Sequence, residues 1–268
     1  MRYGPAANDL AIVYTHGITS SVFRPTHVGV GRALERDGCT VIAGNNRGTG
    51  LATVFPRRDG SRALAGSWFE RLGDAAIDIA AWMDVAASGG ASRLVLLGHS
   101  LGAAKAVLYA SERRDQRLAS LVLASPAFHL VSRQVDPEAV APAQAAVADG
   151  RPDALIDAPH EVAFRRMSAA TLIDYATGRA NPWDEAAPRL SAISCPILAF
   201  YGTAEPEVGG QAELERIGKL VRGPFSTHLI DGANHMYVGH EDKVAAVVVN
   251  WLRAVVLPSL ARESTPAG

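Results

Sequence analysis

The sequence predicts an α/β fold: a mostly parallel sheet covered on both faces by helices, with a small helical cap inserted. Three observations predict it. Short apolar β-type runs alternate with helix-like stretches, as right-handed β-α-β crossovers require. The runs are continuously apolar rather than alternating, which suits strands buried on both faces. One stretch, 126–190, breaks the rhythm with prolines and short helical patterns.

The runs are Leu10–Tyr14, Thr40–Ala43, Arg93–Leu97, Leu121–Leu123, Pro196–Tyr201 and Thr227–Ile230. Amphipathic stretches fall at 25–37, 67–87 and 240–256, the last expected to end before Pro258. Segment 126–190 shows no clear strand and reads as a helical cap over a site, because an unstructured loop of that length is uncommon in a compact domain. The expected organisation is a core of 1–125 and 191–258, the cap, and a frayed tail at 259–268.

Composition narrows the function. The chain has 268 residues, 48% of them hydrophobic and 20% charged, with a formal charge of −1. That balance argues against disorder and against nucleic acid, which needs a basic footprint. No run approaches the ~18 apolar residues of a membrane helix. The first residues carry no apolar leader, so a cytoplasmic protein is expected. Cys39 and Cys195 are too few for a disulfide framework and read as reduced core thiols. Nothing implies a metal, nucleotide or flavin, so no cofactor is expected.

Chemistry enters at Gly98-His99-Ser100-Leu101-Gly102, a G-x-S-x-G pattern between an apolar strand and the helix-like Ala103–Leu108. A strand–turn–helix elbow needs small residues on either side of a strained serine, whose hydroxyl then stands clear above a helix N-terminus. Ser100 is the candidate nucleophile. A serine hydroxyl needs a base within hydrogen-bond reach. His235, in Asp231-Gly232-Ala233-Asn234-His235 after the last strand, is the candidate; His228 and His240 read as core or surface imidazoles, and His99 as a packing or hydrogen-bonding residue. An acid must hold the imidazole's tautomer. Glu205, after the strand ending at Tyr201, is favoured over Glu207 and Asp231. The oxyanion of acyl transfer needs two amide donors. Leu101, at the elbow helix N-terminus, and Ile18, after His16-Gly17, are the candidates, with Ser20 and Ser21 bracing that loop.

Together these residues resemble the α/β-hydrolase superfamily over most of the chain. The resemblance implies the order nucleophile, acid, histidine, matched by Ser100, Glu205 and His235. Asn46-Arg47-Gly48-Thr49-Gly50 is similar to the family's D-x-R-G-x-G turn, in which Arg47 would be structural. The segment Gly98–Ala103 followed by Lys105 is similar to a group of single-domain serine esterases that includes fungal siderophore-ester hydrolases. Two departures stand out. Glutamate replaces the usual aspartate, and only nine residues precede the first predicted strand. The shortened N-terminus would expose a sheet edge, to be covered by residues 1–9 or by a second subunit as a homodimer.

The expected function is a serine hydrolase cleaving a carboxylic ester or related acyl bond of a small molecule through an acyl-enzyme. The same residues could serve an acyltransferase, thioesterase, lactonase, amidase or carbon–carbon bond hydrolase; a ligand receptor that kept the fold is the alternative outside enzymes. Phe128, Phe164, Tyr175 and Trp183 are the cap aromatics expected to meet an apolar substrate portion. Arg57, Arg58 and Arg62 form a basic loop, read as solvated or as facing an anionic group.

Overall fold

The computed structural model describes residues 1–5, 9–184 and 189–263, with side chains as far as position 260. The chain opens with β1 (Arg2–Tyr3), β2 (Leu10–Thr15), α1 (Pro25–Arg36) and β3 (Thr40–Gly44). A hairpin of β4 (Thr53–Pro56) and β5 (Arg62–Ala65) precedes α2 (Ala75–Ser88). The centre is β6 (Arg93–His99), α3 (Leu101–Glu112) and β7 (Leu118–Ala124). The inserted segment holds α4 (Pro137–Ala148), β8 (Leu155–Asp157), β9 (Arg166–Ser168) and α5 (Ala169–Ala176). The chain then returns through β10 (Ile197–Gly202), α6 (Gln211–Leu220), β11 (Phe225–Ile230), α7 (Glu241–Trp251) and α8 (Leu257–Glu263).

Seven strands form one sheet in the order β1-β3-β2-β6-β7-β10-β11. Every neighbouring pair is parallel except β1 with β3. Its strands are apolar on both faces for a visible reason. Leu94 and Leu96 of β6 pack with α2, α3 and the inserted segment, while Val95 and Leu97 pack with α1 and α7. Register aligns Thr15 with Gly98 and Gly98 with Leu123, so β2, β6 and β7 end together at one rim.

Four expectations are corrected. The first strand is β1, not Leu10–Tyr14: Arg2 and Tyr3 pair with Ile42 and Val41 and cover the β3 edge. Two residues carry too little pattern to be seen in sequence. The inserted segment is not free of strands, since β8 and β9 form an antiparallel hairpin. The helix expected from 67 begins with a 3-10 turn at Leu72. Ser67 and Glu70 are drawn into contacts with other elements instead: Ser67 donates to the Gly48 carbonyl and Lys105 donates to Glu70. Finally, the last helix does not stop before Pro258. A π turn at Leu252–Val256 widens the spiral, with the Leu257 amide reaching back to the Leu252 carbonyl, and α8 continues through the proline.

As a result Glu241–Leu260 is a 20-residue helix long and apolar enough to cross a membrane, contrary to the expectation that no such run exists. It spends Val244, Val248, Trp251, Leu252 and Val256 on the core face shared with α1. Of the expected tail, the backbone is helical to Glu263, and 264–268 lie outside the described residues. Cys39 and Cys195 are free and half-buried, and burial pushes the Cys195 thiol up to about 11.

Candidate active site

The rim where β2, β6, β7, β10 and β11 end brings the candidate residues together. β6 runs directly into Ser100, which takes φ 59° and ψ −125° before α3 begins at Leu101. The flanking glycines make this turn possible. A Cβ on Gly98 would lie 2.4 Å from the Gly102 carbonyl oxygen, and one on Gly102 would lie 2.6 Å from that of Thr15.

The loop after β11 brings His235 to the serine: Nε2 lies 3.0 Å from Ser100 Oγ. The turn after β10 brings Glu205, whose Oε2 lies 2.7 Å from His235 Nδ1. A carboxylate only accepts, so the proton sits on Nδ1 and Nε2 is left to accept from the serine hydroxyl. Glu205 is fully buried, whereas the imidazole is 26% exposed and so reachable from solvent. Glu207 and Asp231 are exposed, and Asp231 accepts instead from Thr203. His228 is exposed on β11, and His240 bonds the Val238 carbonyl at the start of α7. His99 is buried; its Nε2 lies 2.8 Å from the His235 carbonyl oxygen and its ring centroid 4.9 Å from that of His235.

The loop after β2 lies against the elbow. A Cβ on Gly17 would meet Ser100 Cβ at 2.7 Å and Oγ at 3.0 Å, so this backbone lines the space beside the hydroxyl. The amides of Ile18 and Leu101 donate to no group in the turns and loops among the described residues. His16 is buried and burial, aided by the Lys105 charge, pushes its pKa down to about 3. The neutral ring places Nδ1 at 2.9 Å from the Gly17 carbonyl, while Nε2 accepts from the Asn46 amide. In a trans peptide the following N–H points opposite to that carbonyl, so His16 fixes where the Ile18 amide aims.

Three groups here escape sequence reasoning. Ser125, at the end of β7, donates to Glu205 Oε1, and Tyr237, two residues after His235, bonds the Ser125 hydroxyl. The third is the Lys105–Glu70 ion pair, with both side chains almost fully buried beneath the site. Backbone strain was the available signal for the first two, and it is invisible in text. Thr19, Ser100, Ser125 and Tyr237 are the non-glycine residues with positive φ among the described residues, and all four belong to these rim segments.

A sequence profile of the family described as serine aminopeptidase, S33, matches residues 6–242. The chain belongs to this α/β-hydrolase family. Solved structures share the family's fold at low identity. Est1E from Butyrivibrio proteoclasticus with ferulic acid bound is 19% identical, with 94% of this chain and 92% of that one covered and a TM-score of 0.68. The monoacylglycerol lipase of Paleococcus ferrophilus is 17% identical, with 94% and 96% covered and a TM-score of 0.64. A soluble variant of the Saccharomyces cerevisiae monoglyceride lipase is 13% identical, with 94% and 90% covered and a TM-score of 0.63. No curated protein matches the sequence significantly.

Within this family fold, Arg47 is structural as expected, chelated by Asp74 and Asp78. The four aromatics expected to meet substrate are not equivalent. Phe128 and Tyr175 are buried in the core; Phe128 packs edge-on against Trp183, which Arg216 covers at 4.1 Å. Phe164 is half-buried. Arg57, Arg58 and Arg62 are exposed on the β4–β5 hairpin, and Arg57 and Arg62 line a groove of about 860 Å³ whose walls include neither Ser100 nor His235. Among the described residues no group of three or more His, Cys, Asp or Glu side chains is placed to hold a metal ion.

Proposed function

We propose that this protein hydrolyses carboxylic esters of small molecules through a Ser100–His235–Glu205 triad. The observation that carries the reading is the unbroken line of hydrogen bonds from Glu205 Oε2 through His235 to Ser100 Oγ, at 2.7 and 3.0 Å. His235 takes the Ser100 proton as Oγ attacks the acyl carbon. The oxyanion then rests on the Ile18 and Leu101 amides, the second helped by the α3 dipole. Collapse expels the alcohol, which leaves with the proton from His235. Water repeats the sequence on the acyl-enzyme and releases the acid, restoring the serine.

The family description names a peptidase, and its ester-cleaving structural neighbours favour the other bond.

The test is hydrolysis of p-nitrophenyl esters of graded acyl length, with aminoacyl p-nitroanilides alongside, by wild type and Ser100→Ala. Ester turnover that falls roughly 10⁴–10⁶-fold in the variant is expected, together with fluorophosphonate labelling of wild type alone. Ester turnover that survives Ser100→Ala, or a preference for the anilides, would refute the reading.

A further inference from the structure

We propose that Ser125 and Tyr237 are positioning residues, a hydroxyl relay that holds Glu205 in the one orientation from which it can serve His235. The inference rests on the reading of Glu205 as the triad acid.

The direction of the relay follows from donor counting. Glu205 Oε1 accepts from the Gly202 amide and from the Ser125 hydroxyl. The Ser125 proton is therefore spent on the carboxylate. Its contact with the Tyr237 hydroxyl at 2.5 Å can then only be Tyr237 donating to Ser125. The chain runs Tyr237 to Ser125 to Glu205, and all three side chains are buried. Burial, followed by the Glu205 charge, pushes the Tyr237 hydroxyl well above its usual range, so it keeps the proton it donates.

The relay answers a difficulty particular to glutamate. Its extra methylene adds one torsion beyond aspartate, and a free carboxylate could turn Oε2 away from the imidazole. Two donors on Oε1 fix that torsion, leaving Oε2 for Nδ1. The backbone bears a cost for this arrangement: Ser125 holds φ 43° and Tyr237 φ 58°, where residues with side chains are strained. Strain at both members is what a placed hydroxyl would require, and a serine chosen for packing would not.

The ionisable groups around the carboxylate are His235 and Tyr237 from the loop after β11 and Tyr201 from β10, whose hydroxyl donates to the Pro126 carbonyl. His27, His99 and His129 lie within electrostatic reach of His235. None of these changes in the variants below except Tyr237.

The experiment compares Ser125→Gly, Tyr237→Phe and the double variant on a p-nitrophenyl ester, with wild type and Ser100→Ala. Glycine is used because it tolerates the positive φ and so removes the hydroxyl without adding strain. Unchanged thermal midpoints serve as the folding control. Ser125→Gly is expected to lower kcat about 10–100-fold with KM within about twofold. Tyr237→Phe should cost less, and the double variant should match Ser125→Gly alone, because Tyr237 acts through Ser125. The acidic limb of the kcat/KM profile should move to higher pH in Ser125→Gly, since a carboxylate with one donor fewer holds the imidazolium proton more tightly. Multiplying effects in the double variant, an unmoved limb, or unchanged kcat in Ser125→Gly would overturn the relay while leaving the triad standing. Full turnover in Ser100→Ala would sink the triad and the relay with it.

Discussion

Gly17 and Ser100 approach each other across two loops that are 83 positions apart in the chain, and under the proposed mechanism the acyl carbon enters the space beside them. Alanine at position 17 would place its methyl 2.7 Å from Ser100 Cβ, closer than real Cβ contacts come. Either the loop retreats, carrying the Ile18 amide off target, or the serine does. Gly17→Ala is therefore expected to lower kcat/KM on order of 10²-fold or more, the scale of one lost oxyanion donor, with little loss of stability. Steady-state kinetics beside a urea titration checks it; a fully active variant would show that Ile18 is no donor. At this scale the sequence was informative where residue type and local context coincide. Ser100 announces itself through two glycines and an apolar strand, and Glu205 and His235 through their places just past strand ends. Ser125 and Tyr237 do not, because a serine after a strand and a tyrosine in a loop are commonplace. Their role exists only in the three-dimensional meeting of β7, β10 and the loop after β11.

The helix α3 carries Lys105 inward to Glu70, with Nζ and Oε1 2.5 Å apart and side chains 1% and 2% exposed. Burial pushes the Glu70 carboxyl up, and Lys105 is what opposes that. Removing one partner strands the other. Lys105→Met should destabilise the protein by about 3–5 kcal/mol, and Lys105→Met with Glu70→Leu should recover most of it. Urea midpoints of the two variants decide; equal midpoints would mean that the pair carries no such coupling. Elements were readable in proportion to their apolar pattern. All six expected strands occur, because buried parallel strands announce themselves by composition. α6 went unassigned since Leu214 and Ile217 are its only buried residues. β1, β8 and β9 are too short to carry a period. Pro258 misled because a π turn upstream absorbs what a proline ordinarily ends.

Across the whole molecule, four histidines are held neutral chiefly by burial. His99 lies well below its ordinary range, and His16, His27 and His129 are also lowered. An unfolded chain would protonate each near pH 6.5, while the folded protein resists. Protons therefore favour the unfolded state, and stability falls as pH drops through 6.5. The slope is at most about 1.4 kcal/mol per pH unit for each histidine. Urea midpoints measured between pH 7.5 and 5.5 should decline steadily; a flat or rising series would contradict the assignment. The global architecture was the most legible feature of all, since alternating strands and helices admit few right-handed windings. The fine structure of the inserted segment was the least, because its short pieces take their shape from what they lie on. The four strained residues, Thr19, Ser100, Ser125 and Tyr237, share one end of the molecule, while the strands beneath hold no non-glycine residue at positive φ among the described residues. Robustness and work are thus housed in different storeys. An engineer seeking heat tolerance would be tempted by glycine at those four positions, where relief is available, and would be dismantling the tool to strengthen the handle. Durable gains should be sought below, among the helices that flank the floor, where nothing is held under tension for chemistry.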